Sequence, residues 1–286
     1  MSHDDHHTQG WIRRYVFSTD HKMIGFQYGI SALIFLFFGL CLMMIMRWQL
    51  AYPNPDDPSI PIFGKLLGKI LLGGKLSPEL YNSFGAMHGT IMVFLGVVPL
   101  AVGAFGNFVV PLQIGTVDMA FPKLNMASYW AFFVGGVVML ASFFLPGGAA
   151  DAGWTSYPPL ADITQGGTSP IFKQRLLSGQ TFWLFGMIFL ITSSLLGALN
   201  FLVTIIQLRA DGMTFMRLPF FVWAQLVTAF LLLLAFPPLE AAGVLMLMDR
   251  LAGCSFFLPE GLVVTGELIS NTGGGAPILW QHLFWF

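Results

Sequence analysis

The chain has 286 residues, of which 56% are hydrophobic and only 9% are charged, and its mean hydropathy is +0.74. Ordinary soluble domains carry about 25% charged residues, so this composition excludes a soluble globular protein and predicts an integral membrane protein. The formal net charge of -1 leaves no basic face to neutralise phosphates, which excludes nucleic acid as a partner.

Five apolar windows are each long enough to predict a membrane-spanning helix, since a span needs about 20 residues. In chain order, they cover roughly residues 24–47, 84–110, 127–146, 180–206 and 220–248. A sixth run begins near Pro277 and is still apolar at Phe286, about ten residues short of a span. We predict an all-α, polytopic transmembrane helix bundle in which residues 1–286 form a single membrane domain, and we expect the chain to be incomplete at its C-terminus.

The distribution of Lys and Arg predicts the orientation of the bundle. With the N-terminus inside, the inner segments carry Arg13, Arg14, Lys22, Lys123, Arg209 and Arg217. The other seven of the 13 basic residues are spread over about twice the length, so the bias favours a cytoplasmic N-terminus. Between the first two windows, FGKLLGKILLGGKL (63–76) predicts an amphipathic helix in the membrane interface, because Lys65 and Lys69 are one turn apart opposite an apolar face.

His88 lies at the head of the second window and is the first candidate for chemistry. We predict it about one turn below the outer surface, at the same depth as Arg47 at the end of the first window. An ionisable side chain within a span indicates a functional site, and neutral imidazole is a common ligand of metals and of haem iron. A histidine hydrogen-bonded to a neighbouring carbonyl explains the pattern equally well at this point. No second histidine lies within residues 84–110, so a haem held by His88 would need its other ligand elsewhere.

A second group of polar residues falls on the inner half of the predicted bundle. Its members are Asn107, Asp118, Asn125, Ser193, Ser194 and Asn200. Ser193 and Asn200 are two helical turns apart and share a face, so a polar file rising from the Asp118 carboxylate could order water for proton movement. The pattern by itself favours the alternative, in which Ser and Asn only join neighbouring membrane helices.

Several segments, in order and in register, resemble subunit I of the haem–copper terminal oxidases, the cytochrome c oxidase type. They are STDHKMIG (18–25), YNSFGAMHGTIMVFL (81–95), FGNFVVPLQIGTVDMAFPKLN (105–125), GWTSYPPL (153–160), SSLLGALNFLVTIIQLRADGMT (193–214), LPFFVWAQLVTAFLLLL (218–234) and GGGAPILWQHLFWF (273–286). The resemblance covers nearly the whole chain but corresponds to the first half of the twelve-helix fold of that subunit.

The resemblance implies a role for each candidate residue. His88 looks like an axial ligand of the low-spin haem iron, Arg47 like the arginine that hydrogen-bonds the formyl group of a haem a, and Trp154 like the tryptophan beside the propionates of the oxygen-binding haem. Asp118 looks like the entrance carboxylate of a proton pathway. The positions that match later parts of this pathway are Asn107, Asn125, Ser193, Ser194 and Asn200.

The function implied is that of cytochrome c oxidase subunit I. Electrons from cytochrome c would pass through the low-spin haem, of type a or b, to a second haem and copper that reduce oxygen to water, coupled to proton pumping. The remaining ligands of these cofactors correspond to the half that this chain lacks.

The resemblance also implies subunits II and III as partners, and we expect a bacterial-type inner (plasma) membrane with a cytoplasmic N-terminus. Two alternatives stay open: a quinol oxidase, since the partner subunit decides the electron donor, and a truncated bundle without catalytic activity.

Two residues depart from the family pattern, and a third could be mistaken for a metal ligand. Met126 stands where many members carry a second Asn, and His282 matches a histidine that is not a metal ligand. Glu240 stands where the family usually has a small residue, in what we predict to be the outer part of the fifth helix. We hypothesise that Glu240 lies near an outer proton exit, while a carboxyl that serves structure alone remains an equal alternative.

Overall fold

The computed structural model describes residues 10–54, 75–264, 266–269 and 273–286, and the predicted interfacial helix at residues 63–76 lies almost entirely outside them. The helices are α1 (Trp11–Tyr15), α2 (His21–Ala51), α3 (Pro78–Ile114), α4 (Pro122–Phe144), α5 (Leu160–Ile163), α6 (Phe172–Leu176), α7 (Gly179–Gln207), α8 (Phe220–Ala252) and α9 (Pro277–Phe284). Two short antiparallel strands, β1 (Val263–Val264) and β2 (Glu267–Leu268), form a hairpin between α8 and α9. Single 3-10 turns occur at Thr164–Gly166 and Phe215–Arg217.

Five of these helices, α2, α3, α4, α7 and α8, are long and apolar enough to cross a membrane, which confirms the predicted spans. Most of them extend beyond the apolar windows because polar residues cap their ends. The Asp20 carboxylate accepts the backbone N–H of Lys22 at 2.7 Å and begins α2. The Ser77 hydroxyl accepts the N–H of Leu80 at 3.2 Å, and Pro78 occupies the first turn, so α3 begins six residues before its window.

The five long helices form a ring. Helix α2 packs between α3 and α4, α4 packs on α7, and α7 packs on α8. Small residues allow α4 and α7 to approach closely, since a Cβ on Gly135 would lie 3.0 Å from the backbone oxygen of Gly186. Helix α8 returns to α3, where the Gln225 side chain donates to the carbonyl of Ala101 at 3.1 Å.

The two ends of the ring are built differently. At one end, here called the Asp118 end, residues 115–121 and 208–219 connect neighbouring helices, and the N–H of Ala210 donates to the carbonyl of Ile114 at 2.9 Å. The opposite end, here called the Trp154 end, carries the longer connections 145–178 and 253–276. Asp118 and Trp154 therefore lie at opposite ends of the bundle, in line with the topology expected from the charge pattern.

Helix α9 begins at Pro277, where the sequence predicts the start of a sixth apolar helix. It is anchored to the Trp154 end by Trp280, which is 1% exposed and whose indole N–H donates to the carbonyl of Thr155 at 2.9 Å. The Trp280 ring also packs edge-on against Phe257, with ring centroids 5.7 Å apart. One buried tryptophan thus joins α9 to both long connections at this end.

Candidate functional site

His88 makes one contact that decides its tautomer. Its Nδ1 lies 2.9 Å from the backbone carbonyl oxygen of Gly39 in α2. Because a carbonyl only accepts, Nδ1 carries a proton and donates, and in the neutral ring Nε2 then keeps its lone pair. Metal-bound histidines commonly have the same arrangement, in which a backbone carbonyl orients the ring through its other nitrogen. This hydrogen bond is therefore compatible with both alternatives that the sequence left open.

His88 lies further from the start of its helix than the apolar window indicates. Since α3 begins at Pro78, His88 lies ten residues into the helix, about 15 Å along its axis and nearly three turns from its start. Arg47 is also not level with His88. The ring of His88 meets α2 at Gly39, and Arg47 lies eight residues further on, about 12 Å nearer the Trp154 end. The error arose because the apolar windows omit the capped ends of both helices.

Trp154 lies directly against the turn of α3 that carries His88. A Cβ on Gly89 would lie 2.9 Å from Cβ of Trp154 and 3.0 Å from its Cγ, so only glycine permits this approach. The indole also makes an edge-on contact with Phe284 of α9, at a centroid distance of 5.9 Å. The structure therefore brings two of the predicted cofactor-binding residues, His88 and Trp154, to one place.

The π-helical stretch that follows His88 is a further local feature of α3. Residues Ile91–Val97 and Pro99–Ala104 adopt π-helical hydrogen bonding. Wide turns of this kind are rare in proteins and occur often at functional sites. Here they lie between His88 and Asn107, so they determine the angle around the axis of α3 between these two side chains.

At the other end of the ring, Asp118 lies beside His21. The Asp118 carboxylate accepts the N–H of Met119 at 2.7 Å, and His21 is 2% exposed. Burial raises the pKa of the Asp118 carboxyl, while the hydrogen bond from Met119 and the nearby charge of His21 oppose this shift. Nδ1 of His21 donates to the backbone carbonyl of Asn107 at 2.8 Å. His21 thus lies between the carboxyl at the surface and the backbone carbonyl of Asn107.

A small cavity follows Asn107 toward the centre of the bundle. It has a volume of about 40 Å³, enough for at least one water molecule. Its polar lining consists of Tyr28, Asn107, Ser128, Ser193 and Ser194. The carbonyl oxygen of the Asn107 side chain is buried without a partner among the described residues, as expected of a group that bonds to water.

The Tyr28 hydroxyl joins the serines of the cavity. It lies 3.0 Å from Oγ of Ser128 and 3.2 Å from Oγ of Ser193. Ser193 is 14 residues from either end of α7, so the chain of hydroxyls reaches the middle of the bundle, about 21 Å from the Asp118 end. These hydroxyls extend the polar route from the surface at the Asp118 end to the middle of the bundle.

Two predicted pathway residues have other partners. Asn125 is 1% exposed, and its backbone carbonyl accepts the Ser128 hydroxyl at 2.8 Å. The Asn200 amide, in contrast, pairs with the backbone of Phe121, accepting its N–H at 2.9 Å and donating to its carbonyl at 3.3 Å. Asn125 therefore adjoins the cavity, while Asn200 holds the connection that carries Asp118, and its part in a pathway stays a prediction.

Glu240 lies in the half of α8 toward the Trp154 end. It is 12 residues from the end of α8, about 18 Å along the axis, which is close to the middle of that helix. Its Oε1 accepts a hydrogen bond from the Thr192 hydroxyl at 2.6 Å. Thr192 directly precedes Ser193, so the carboxyl and the hydroxyl chain share one turn of α7.

Sequence reasoning missed three residues of the polar route, namely His21, Tyr28 and Ser128. His21 could have been found, because it follows a capping aspartate at the same membrane surface as Asp118. Tyr28 and Ser128 could not, because single polar residues in apolar windows are indistinguishable from helix-joining residues until the packing is known.

The side chains available at this site suit a haem iron better than a free metal ion. Within residues 10–54, 75–264, 266–269 and 273–286, no three His, Cys, Asp or Glu side chains converge into a metal site. A haem iron instead takes one axial side chain on each face. His88, with its proton fixed on Nδ1 and an aromatic wall beside it, fits that requirement.

Comparison with known proteins gives consistent matches. The family model of cytochrome c and quinol oxidase polypeptide I matches residues 23–286. Cytochrome c oxidase subunit 1 of Synechocystis sp. is 39% identical over 285 residues, 99% of this chain and 43% of that protein. The subunit 1 of Bacillus sp. strain PS3 is 44% identical over 271 residues, 95% of this chain and 37% of that protein. The haem–copper oxidase subunit I+III of Aeropyrum pernix is 38% identical over 279 residues, 96% of this chain and 29% of that protein.

The chain spans at most about two fifths of the length of these relatives. The match nevertheless extends over nearly all of the chain.

Proposed function

Since the chain belongs to the family of polypeptide I of the cytochrome c and quinol oxidases and forms an integral membrane protein, we propose that it holds one face of a low-spin haem and the first half of a proton route in a cytochrome c oxidase. The observation that carries this proposal is the hydrogen bond between Nδ1 of His88 and the carbonyl of Gly39. It leaves Nε2 of His88 free to bind iron in a fixed ring orientation.

The cofactor part of the site uses three residues. His88 would bind the iron, Arg47 would donate to the formyl group of a haem a, and Trp154 would contact the second haem at its propionates. Arg47 is exposed and lies about 12 Å from Gly39 along α2, so it would reach the edge of the macrocycle and not its centre. A haem in this place supplies one-electron redox chemistry.

The proton route uses the polar residues at the Asp118 end. Asp118 takes a proton from the surface, and His21 stabilises the carboxylate when the proton leaves. Asn107, Tyr28 and Ser193 orient the water that would fill the cavity, and Ser194, Asn125 and Asn200 complete its surroundings. The chemistry is proton transfer along hydrogen bonds, with Asp118 as the titrating group at the entrance.

The activity of the whole enzyme is part of the same proposal. Electrons from cytochrome c would reach a haem–copper centre that reduces oxygen to water, with proton pumping, and subunits II and III would assemble around the ring. The names of the relatives support this activity, and the I+III fusion in Aeropyrum pernix supports association with subunit III. A quinol is the alternative electron donor, because the matched family includes quinol oxidases. The N-terminus would face the cytoplasm, so that protons enter from that side of the inner membrane.

Replacement of His88 tests the proposal. In the intact enzyme, His88→Ala should abolish the low-spin haem band of the reduced-minus-oxidised spectrum. His282→Ala is the matched control, since His282 lies exposed on α9, and its spectrum should be unchanged. A normal low-spin band in the His88 variant would refute the ligand assignment.

A further inference from the structure

Arg250 is the most deeply buried cation among the described residues, with 1% of its surface exposed at the Trp154 end of α8. Within the described part of the chain, its guanidinium donates to neutral oxygens only. The acceptors are the carbonyls of Ala161 at 2.6 Å, Asp162 at 2.9 Å and Thr164 at 3.2 Å, and the hydroxyls of Thr181 at 3.0 Å and Ser178 at 2.8 Å. Arg250 therefore clamps the connection that follows Trp154 onto α7 and α8, and it forms no hydrogen bond to any carboxylate of the described residues.

The carboxyl group of Asp162 lies next to this clamp without a partner. Asp162 is 1% exposed, and neither of its carboxyl oxygens has a hydrogen-bond partner in the described part of the chain. It lines a cavity of about 20 Å³ together with Asp249, Arg175 and Thr168. A cavity of this size holds one water molecule.

The backbone around Asp162 is closely packed. A Cβ on Gly167 would lie 1.7 Å from the backbone oxygen of Asp162 and 2.6 Å from the Arg250 guanidinium, so glycine is required there. The backbone at Gly167 thereby covers the Asp162 main chain and the clamp. The cavity beside Asp249 is the space left for a polar partner.

The charges around Asp162 come from three elements. Asp249 and Arg250 belong to α8, Arg175 belongs to α6, and Asp151 lies in the connection before α5. The Asp249 carboxylate already accepts the N–H groups of Phe256 and Phe257, at 2.8 and 2.9 Å. Burial raises the pKa of the Asp162 carboxyl well above its usual value, the charge of Asp249 raises it further, and Arg250 opposes both effects.

We propose that Asp162 is a proton-binding site at the Trp154 end, which holds a proton at neutral pH and exchanges it with water in the cavity beside Asp249. On release, the O–H bond of the carboxyl breaks, a bond from that proton to the cavity water forms, and a carboxylate remains near Arg250. This carboxylate competes with the carbonyls of Ala161 and Thr164 for the guanidinium. Loss of the proton therefore weakens the clamp on the connection that carries Trp154.

The proposal does not depend on haem binding or turnover, so infrared spectroscopy of the intact enzyme can test it. With ¹³C-labelled aspartate, the protonated-carboxyl C=O band at neutral pH should lose intensity in Asp162→Asn. The lost band should titrate in the wild type with a midpoint well above the usual 3.8. Asp211→Asn, at an exposed aspartate of the connection between α7 and α8, is the matched control and should leave the band unchanged.

A second variant tests the charge argument even if Asp162→Asn fails to assemble. Asp249→Asn removes the negative charge beside Asp162, so the midpoint of the protonated-carboxyl band should fall. Two results would overturn the proposal: a carboxylate band at neutral pH that disappears in Asp162→Asn, or a midpoint that stays constant or rises in Asp249→Asn.

Discussion

His21 in α2 and Asn107 in α3 are joined by a 2.8 Å hydrogen bond from the imidazole Nδ1 to the backbone carbonyl. This contact lies between Asp118 at the surface and the buried cavity, and it involves two helices whose pairing spans 86 positions of sequence. The entrance of the proposed proton route is therefore assembled by tertiary packing. Its parts can be tested one at a time.

The first prediction concerns Asp118 and pH. Asp118→Asn should slow turnover on the order of 100-fold, because the entrance loses its titrating group. Since burial raises the pKa of Asp118, the folded state binds this proton more tightly than the unfolded state. The resulting stabilisation is fully present below the usual pKa and is lost as pH rises through the raised one.

The stability of the Asn variant relative to the wild type should thus increase from acidic to neutral pH, measured as the thermal midpoint of the purified enzyme. Asp211→Asn serves as the exposed control at the same end of the ring. Undiminished turnover of Asp118→Asn would remove Asp118 from the route.

The second prediction separates proton transfer from packing at Tyr28. Tyr28→Phe deletes a hydroxyl that contacts both Ser128 and Ser193, and should cost about 1–3 kcal/mol of stability. Tyr129→Phe is a matched control. Its hydroxyl is similarly buried and lies 3.1 Å from Oγ of Ser31, but it does not line the cavity. Both variants should lower the thermal midpoint, and only Tyr28→Phe should slow proton uptake. Equal rates in the two variants would contradict a role for Tyr28.

The third prediction concerns the approach of Trp154 to α3. Gly89→Ala places a methyl group 2.9 Å from Cβ of Trp154, which should displace the indole at a cost of about 1–3 kcal/mol and shift the haem absorption. Gly197→Ala in α7 is the control, because nothing lies within 4 Å of its added Cβ. Helix propensity should make that change neutral or stabilising by about 1 kcal/mol. An unchanged spectrum in Gly89→Ala would show that the contact is irrelevant to the haem.

The fourth prediction tests the carboxyl of Glu240. Glu240→Gln keeps an oxygen that can accept the Thr192 hydroxyl, so stability should change little. If Glu240 carries protons, the ratio of protons pumped to electrons transferred should fall in vesicles containing the variant. Full turnover with full pumping would leave Glu240 a structural role only.

The membrane spans of this protein could be predicted from sequence because a helix needs about 20 apolar residues to cross the hydrocarbon core of a bilayer. The ends of the helices could not, since Ser77 and Asp20 act through one or two hydrogen bonds each, and both residues lie outside the apolar windows. This limit had a consequence for the candidate site. Leaving out the first six residues of α3 placed His88 too near the start of that helix and wrongly level with Arg47.

The members of the polar route were predicted unevenly for a similar reason. Asp118 and Asn107 stand out as polar residues near the end of a span, and the structure joins them through His21. Ser193 and Asn200 share a helical face in sequence, but only Ser193 lines the cavity, while the amide of Asn200 binds the backbone of Phe121. The spacing of residues along a helix predicts which face of the helix a side chain lies on. Its hydrogen-bond partner depends on the groups of the neighbouring helix that pack against that face.

The partner of His88 is a main-chain oxygen, and this has a consequence for how the protein tolerates mutation. A side-chain partner can be deleted by one codon change, but the carbonyl of residue 39 remains whatever amino acid is encoded there. A side chain at this position would first meet the sulfur of Met92, at the flexible end of a long side chain. The orientation of the imidazole therefore depends on the path of α2, and a substitution at position 39 would act on it only indirectly, by displacing Met92 and Ile91.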